Sequence, residues 1–322
     1  MRKKVVRSFQ LVISILLISI IYYKLDISFS KINLTNLEYH WLFLAVLCRV
    51  LFMPFFASMR WKLFLRYVGV KEKLLSIIQI NFLSAYWGLL MPSSTGLDLF
   101  RIIFIEKKHP GARGKVGSTV VAERLVGFIL LSLIGFAGSL TVQDINQIAS
   151  IRLILGCLVL LLLSILFILT NSQVYQSVIN ILNKIRFGHR PIGYLKKLYS
   201  ALVELPFKKI LPRALPIMIL FQLSTIILGF LIFKAFNVNI PFLYHLALLP
   251  LIQIITIVPV SISGFGVREG AFVYFYSSLG VAPTVSFSVS ILYYIISMGF
   301  PAICGAIISF SQHRSPPPQG SK

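Results

Sequence analysis

The sequence predicts an all-α polytopic membrane protein with about eight hydrophobic segments, two of them broken or re-entrant hairpins, arranged as an inverted repeat. Three observations carry that expectation. Hydrophobic residues make up 57% of the 322 residues and charged residues 12%, with mean hydropathy +0.87, whereas a soluble globular chain is about 25% charged. Such a chain cannot cover itself with polar surface in water. Apolar runs recur at lengths approaching those needed to cross a ~30 Å hydrocarbon core at ~1.5 Å per helical residue. Finally, 31 Lys/Arg stand against 9 Asp/Glu, and the basic residues crowd into a few connecting stretches.

The apolar runs fall at 9–24, 39–59, 74–91, 118–141, 151–170, 214–236, 242–262 and 284–309. The first follows Arg2, Lys3, Lys4 and Arg7 as a signal peptide would. Its far end, Tyr22-Tyr23-Lys24-Leu25-Asp26, is bulky and charged and lacks a small-residue cleavage pattern. A retained anchor helix is expected. The whole chain, 1–322, reads as a single transmembrane domain. Within it, 171–213 is expected to form a helical segment at the cytoplasmic interface, because Val174, Val178, Ile181, Leu182 and Ile185 recur at helical spacing opposite Lys184 and Arg186. The proline-rich end, 312–322, is expected to be a disordered tail.

Basic residues set the orientation. The N-terminus carries 4 Lys/Arg, 60–73 carries 5, 106–117 carries 4, 171–213 carries 8 and the tail 2. Against these 23, the remaining loops and span ends hold only Lys24, Lys31, Arg152 and Lys234. Both termini are therefore expected in the cytoplasm. The net charge of +22 then reflects orientation and contact with anionic inner-leaflet lipid, not nucleic-acid binding.

That orientation creates a conflict with a structural consequence. The stretches 60–73 and 106–117 both read as cytoplasmic, yet one full-length run, 74–91, separates them. The chain must enter and return, and the return is 97–105, after the helix-breaking run Met91-Pro92-Ser93-Ser94-Thr95-Gly96. The C-terminal half repeats this from the other face: 242–262 enters, breaks at Pro259 through Gly266, and returns over 270–282. Paired interrupted segments in corresponding positions point to an inverted-repeat transporter with its site near the midplane.

Seven ionisable residues fall at membrane depth, where each costs roughly 2.5–3.5 kcal/mol. Arg49 lies at the centre of 39–59. Asp98 and Arg101 sit one helical turn apart on the first returning arm. Glu123 and Arg124 lie in the first third of 118–141, and Arg268 and Glu269 follow the glycines of the second break. Each could be structural: a pair fixing a hairpin, side chains snorkelling to the interface, or donors to carbonyls freed by a break. As a set beside two unwound stretches they are hard to stabilise unless they face an aqueous cavity. Gly96, Gly264 and Gly266 allow backbone N–H groups to point inward, and the helices after them present positive dipole ends. With Arg49, Arg101 and Arg268 these could hold a phosphate, with Ser93, Ser94, Thr95, Ser261 and Ser263 as hydroxyl partners. The carboxylates could align the arginines, meet an amine or sugar, or carry protons.

At these residues the chain resembles the flippase-like membrane proteins related to the transmembrane region of lysylphosphatidylglycerol synthase. The matching stretches are Arg60-Trp61, Leu90-Met91-Pro92 through Gly96, Asp98 and Arg101, then Glu123-Arg124, and Pro259 through Ser263-Gly264-Phe265-Gly266-Val267-Arg268-Glu269. Leu97 stands where the family pattern would place a second glycine. The resemblance covers roughly 10–310 and implies lipid translocation across a bacterial or archaeal plasma membrane. Some relatives carry a cytosolic aminoacyl-transferase domain; a stand-alone transporter is expected here.

A lipid flippase-like transporter is thus the leading expectation, moving an anionic or zwitterionic phospholipid, which could be aminoacylated or lipid-linked, through a charged midplane cavity, with no cofactor, metal or nucleic acid. The alternative is a membrane enzyme or accessory subunit acting on a lipid-linked substrate. A catalytic constellation is not legible: His40, His109, His189, His245 and His313 are scattered, and no metal-ligand spacing or phosphate-binding loop stands out. Cys48, Cys157 and Cys304 lie in separate apolar stretches and read as small buried side chains. Protein partners compatible with this reading are a second copy of the chain or a lipid-modifying enzyme.

Overall fold

In hydrocarbon every backbone N–H and C=O must be satisfied within the protein, which leaves helices as the natural form for long apolar runs. The computed structural model describes residues 12–19, 23, 37–89, 91, 96–142, 148–171, 173–177, 205–258 and 260–314, and among them there is no strand. The helices are α1 (Tyr39–Tyr67), α2 (Leu74–Leu89), α3 (Gly96–Lys108), α4 (Val116–Thr141), α5 (Ile148–Thr170), α6 (Phe207–Ala235), α7 (Phe242–Ile257), α8 (Val267–Ser277), α9 (Pro283–Tyr294) and α10 (Phe300–Arg314). A π-turn, Ile295–Gly299, joins the last two into one continuous rod. Five of these rods are long and apolar enough to cross a membrane, and α2 and α7 are shorter apolar helices.

Seven of the eight expected runs thus lie on helices. Of the first, 12–19 is helical, and Ser14 there accepts a hydrogen bond from the Ile262 N–H at 3.0 Å. Two boundaries need correction. The basic stretch 60–73 is not a loop, because α1 continues to Tyr67 and carries Arg60 and Trp61 inward. The run 214–236 begins earlier, at Phe207. Most of the expected interfacial segment, along with Pro92 through Thr95, Pro259 and 315–322, lies outside the described residues.

The two halves match in length and spacing. Helices α1 and α6 each have 29 residues, and α2 and α7 each have 16. Each helix of the first pair begins and ends 168 positions before its counterpart (39 and 207, 67 and 235, 74 and 242, 89 and 257). The packing is reciprocal: α1 lies along α6, α2 docks on α10 and α7 docks on α4. Both dockings use glycine. A Cβ at Gly138 would lie 2.8 Å from the Leu246 carbonyl carbon, and one at Gly305 would collide with the Phe82 carbonyl oxygen. Helices in lipid associate through close packing rather than hydrophobic burial, so small residues mark the contacts. Conversely, Leu153, Leu160, Ile307 and Phe310 on α5 and α10 are largely exposed, as lipid-facing side chains should be.

Candidate functional site

Helices α2 and α3 meet where the chain breaks. A Cβ on Gly88 would lie 2.6 Å from the Leu97 nitrogen, and one on Gly96 would lie 2.8 Å from the Gly88 oxygen. This contact aims the first turn of α3 at α4 and α1. Asp98 and Arg101 share one face of α3 and approach each other at 3.4 Å. Arg101 also pairs with Glu123 of α4 at 2.8 Å, and Glu123 takes Arg60 of α1 at 2.5 Å on its other oxygen. Asp98 in turn pairs with Arg124. The result is a string of alternating charge, Arg60–Glu123–Arg101–Asp98–Arg124, tying three helices together. Its centre is dry: Arg101 is 6% exposed and Glu123 2%.

Aromatic rings complete the string. The Arg101 guanidinium lies 4.0 Å over the Trp61 ring and that of Arg60 lies 3.9 Å over Phe221 of α6. These positions favour cation–π attraction where water is excluded. Trp61 is fully buried and its indole N–H donates to the Thr119 hydroxyl at 3.1 Å.

The second break is built differently. Ser263, Gly264 and Gly266 all have positive φ, near 51°, 76° and 84°, which reverses the chain within four residues and favours glycine. A Cβ on Gly264 would also collide with the Thr256 side chain. Thr256 and Gly264 stand 168 positions after Gly88 and Gly96, so the two helix pairs cross at matching points. Glu269 folds back on its own helix start and accepts the Gly266 N–H at 2.6 Å. Its other oxygen takes Arg268 at 2.6 Å and the Ser290 hydroxyl at 3.4 Å. The Gly266 N–H, expected to face a ligand, is therefore engaged by the protein itself. The Arg268 guanidinium lies 4.2 Å over the Tyr294 ring and 5.2 Å from that of Phe265.

Arg49 is held by neither carboxylate cluster. Its guanidinium donates to the Ser297 carbonyl, with Nε at 2.9 Å. Ser297 belongs to the π-turn, where the shifted hydrogen-bond pattern leaves a carbonyl available. Of the arginines lining or flanking the two breaks, Arg49 is the one that bonds a backbone carbonyl among the described residues.

Two adjoining cavities lie between the clusters. The larger, about 340 Å³, is lined by Arg60, Glu123, Arg124, Ser263 and Arg268 together with Gln222, Gln253 and Tyr294. The smaller, about 240 Å³, is lined by Arg49, Arg60, Arg101, Asn81 and Leu97. Arg60, Phe221, Ser297 and Met298 belong to both linings. The chain matches the family model described as Lysylphosphatidylglycerol synthase TM region over residues 8–305. It belongs to that family. No curated protein and no solved structure matches it.

This lysylphosphatidylglycerol synthase TM-region protein is therefore a multi-pass membrane protein of a family connected with lipid metabolism. Of the candidate residues, Arg49, Arg101, Glu123, Arg124, Ser263 and Arg268 line the cavities, while Asp98 and Glu269 stand behind the arginines they pair with. Gly96, Gly264 and Gly266 serve close approach and chain reversal, and Ser93 and Ser94 lie outside the described residues. Arg60, Phe221, Gln222 and Gln253 are additions. Arg60 stands at the end of an apolar run, where it counts among interfacial charges; its spacing of eleven from Arg49, about three helical turns, was the available signal. Among the described residues no group of His, Cys, Asp and Glu is arranged to hold a metal.

Proposed function

We propose that the protein is a lipid flippase-like transporter. It moves an anionic or zwitterionic phospholipid, or a lipid-linked head group, between the leaflets of a bacterial or archaeal plasma membrane through the two adjoining cavities. The observation that carries this reading is the lining: five arginines, Arg49, Arg60, Arg101, Arg124 and Arg268, against one carboxylate, Glu123. Guanidinium groups lining a cavity offer forked, charge-assisted hydrogen bonds to phosphate oxygens. Asp98 and Glu269 hold the arginines in position between turnovers, and a phosphate takes over part of that pairing as it arrives. The acyl chains remain outside, along the lipid-facing surfaces.

The 168-residue offset and the reciprocal docking of α2 and α7 support an inverted repeat, with α2–α3 and α7–α8 as hairpins entering from opposite faces. The concentration of basic residues supports cytoplasmic termini, so that α2–α3 opens inward and α7–α8 outward. Alternating exposure of the cavities is then a rocking of one half against the other about the α1–α6 contact.

Leaflet exchange of fluorescent phospholipid analogues in proteoliposomes tests the reading with Arg101→Ala and Arg268→Ala. Both variants leave the carboxylates partnered: Glu123 keeps Arg60, Asp98 keeps Arg124 and Glu269 keeps the Gly266 N–H. Each should slow exchange about tenfold or more, since a hydrogen bond to a charged group is worth ~1.5–3 kcal/mol. Unchanged exchange in both variants would remove these cavities from the path. A wild-type protein that exchanges no lipid but yields a new lipid species by mass spectrometry would be a lipid-modifying enzyme instead.

A further inference from the structure

Among the described residues, the charges around the cavities do not balance. Five guanidinium groups, Arg49, Arg60, Arg101, Arg124 and Arg268, meet three carboxylates, Asp98, Glu123 and Glu269. The other carboxylates among the described residues are engaged elsewhere: Glu38 with Trp41, Glu72 with Lys108 and His109, and Glu106 with the Gly114 N–H. Arginine cannot relieve a buried charge by losing its proton. Among the described residues two positive charges are therefore left to an occupant, and enclosing partly buried guanidinium groups without one is costly. Arg49 makes the excess concrete, because its only partner among the described residues is a backbone carbonyl. The smaller cavity has three arginines and no carboxylate in its lining, the larger has three arginines and Glu123, and Arg60 belongs to both. Nothing in either lining offers a surplus carboxylate to an ammonium group.

We infer that the cavities select a head group bearing two negative charges on phosphate oxygens and no amine. This rests on reading the cavities as the head-group site and is independent of whether the lipid is then moved. It narrows the range of ligands sharply. A zwitterionic head group would bring no net compensation, and an aminoacylated one with net positive charge would add to the excess. A lipid diphosphate, a phosphomonoester in its doubly ionised form and a lipid with two phosphodiesters all satisfy the charge requirement, and binding to each separates them.

The test is binding by native mass spectrometry of the full chain in neutral detergent. The probes are a polyprenyl diphosphate, phosphatidic acid at pH 8, cardiolipin, phosphatidylglycerol, phosphatidylethanolamine and lysyl-phosphatidylglycerol. At least one doubly charged lipid should bind about tenfold or more tightly than phosphatidylglycerol, with phosphatidylethanolamine and lysyl-phosphatidylglycerol weaker still. Arg49→Gln removes one excess charge without orphaning a carboxylate. It should cut the preference for the doubly charged probe over phosphatidylglycerol about tenfold while leaving the lipid-free melting temperature the same or higher. Equal binding of phosphatidylethanolamine or lysyl-phosphatidylglycerol and the doubly charged lipids overturns the inference. So does an Arg49→Gln protein, folded by its melting temperature, that keeps the wild-type order unaltered. If the binding order holds while leaflet exchange is absent, transport fails and the charge selectivity stands.

Discussion

The two breaks solve the same problem, a buried arginine beside the start of a short helix, with different reach. At the first, five charged side chains from α1, α3 and α4 share their partners, so the site is also a joint between helices. At the second, Arg268 and Glu269 are sequence neighbours on α8, and Glu269 doubles as the cap of its own helix. The first is a network whose members depend on elements far apart in sequence; the second is a local device. Burial is similar, with Glu123 2% and Glu269 1% exposed, so the difference lies in connectivity. A fault at the first break should therefore propagate into the assembly, and a fault at the second should stay near the cavity.

The largest expected effect follows from removing the shared acid. Glu123→Gln leaves Arg60 and Arg101 facing a neutral amide in a buried setting, which costs about 3–5 kcal/mol. Thermal unfolding in detergent should show a large fall in midpoint, and a midpoint near wild type would mean the string does not join the helices. Glu269→Gln should cost less, about 1–3 kcal/mol, because it strips the carboxylate from one arginine, Arg268, where Glu123→Gln strips it from two. Its lipid exchange should fall more than its stability does. If Glu269→Gln proves the more damaging substitution in the same melt, the contrast between network and local device is reversed.

The helix dockings sharpen the comparison from the packing side. Gly305→Ala sets a methyl group against the Phe82 carbonyl, and Gly138→Ala sets one against the Leu246 backbone. Overpacking of this kind costs about 1–3 kcal/mol. Both should lower the melting temperature, Gly305→Ala by more because its approach is closer. Two neutral outcomes would leave the reciprocal docking without energetic weight.

The smallest effect belongs to the clasp between the α1–α2 connection and the end of α3. Burial pushes the Glu72 carboxyl up, but hydrogen bonds from Lys108, His109 and Ser76 outweigh it and hold the pKa down at about 2 against a reference of 4.5. A depressed folded pKa stabilises fully above the unfolded value and is lost as pH falls through the folded one. Wild type should thus lose this contribution between pH 4.5 and 2. Glu72→Gln should lack that part of the acid-side slope, read from melting temperature against pH. Parallel curves for the two proteins would remove the clasp from the stability of the fold.

Much of this arrangement was legible in the sequence, for physical reasons that also mark where legibility stops. Charged residues in apolar runs stand out because lipid penalises them, so Arg49, Asp98, Arg101, Glu123, Arg124, Arg268 and Glu269 were visible one by one. The i, i+3 spacing made the Asp98–Arg101 contact readable. Pairing across helices was not. Adjacent residues on a helix project about 100° apart, and Glu123 reaches Arg60 and Arg101 while Arg124 reaches Asp98. Arg60 was concealed by its place at the end of an apolar run, where a helix extending to Tyr67 and a loop look alike. The π-turn at Ile295–Gly299 leaves no compositional mark, so the carbonyl that receives Arg49 was not anticipated.

The central claim is that lipid head groups travel through the arginine-lined cavities, and chemical obstruction tests it most directly. With Cys48, Cys157 and Cys304 replaced by serine, Gln253→Cys places a thiol in the lining of the larger cavity. Leu160→Cys places one on a side chain that is 67% exposed on lipid-facing α5. After reaction with a bulky neutral thiol reagent, leaflet exchange in proteoliposomes should stop for the Gln253→Cys protein and continue for the Leu160→Cys protein. Undiminished exchange in a fully modified Gln253→Cys protein would contradict the claim.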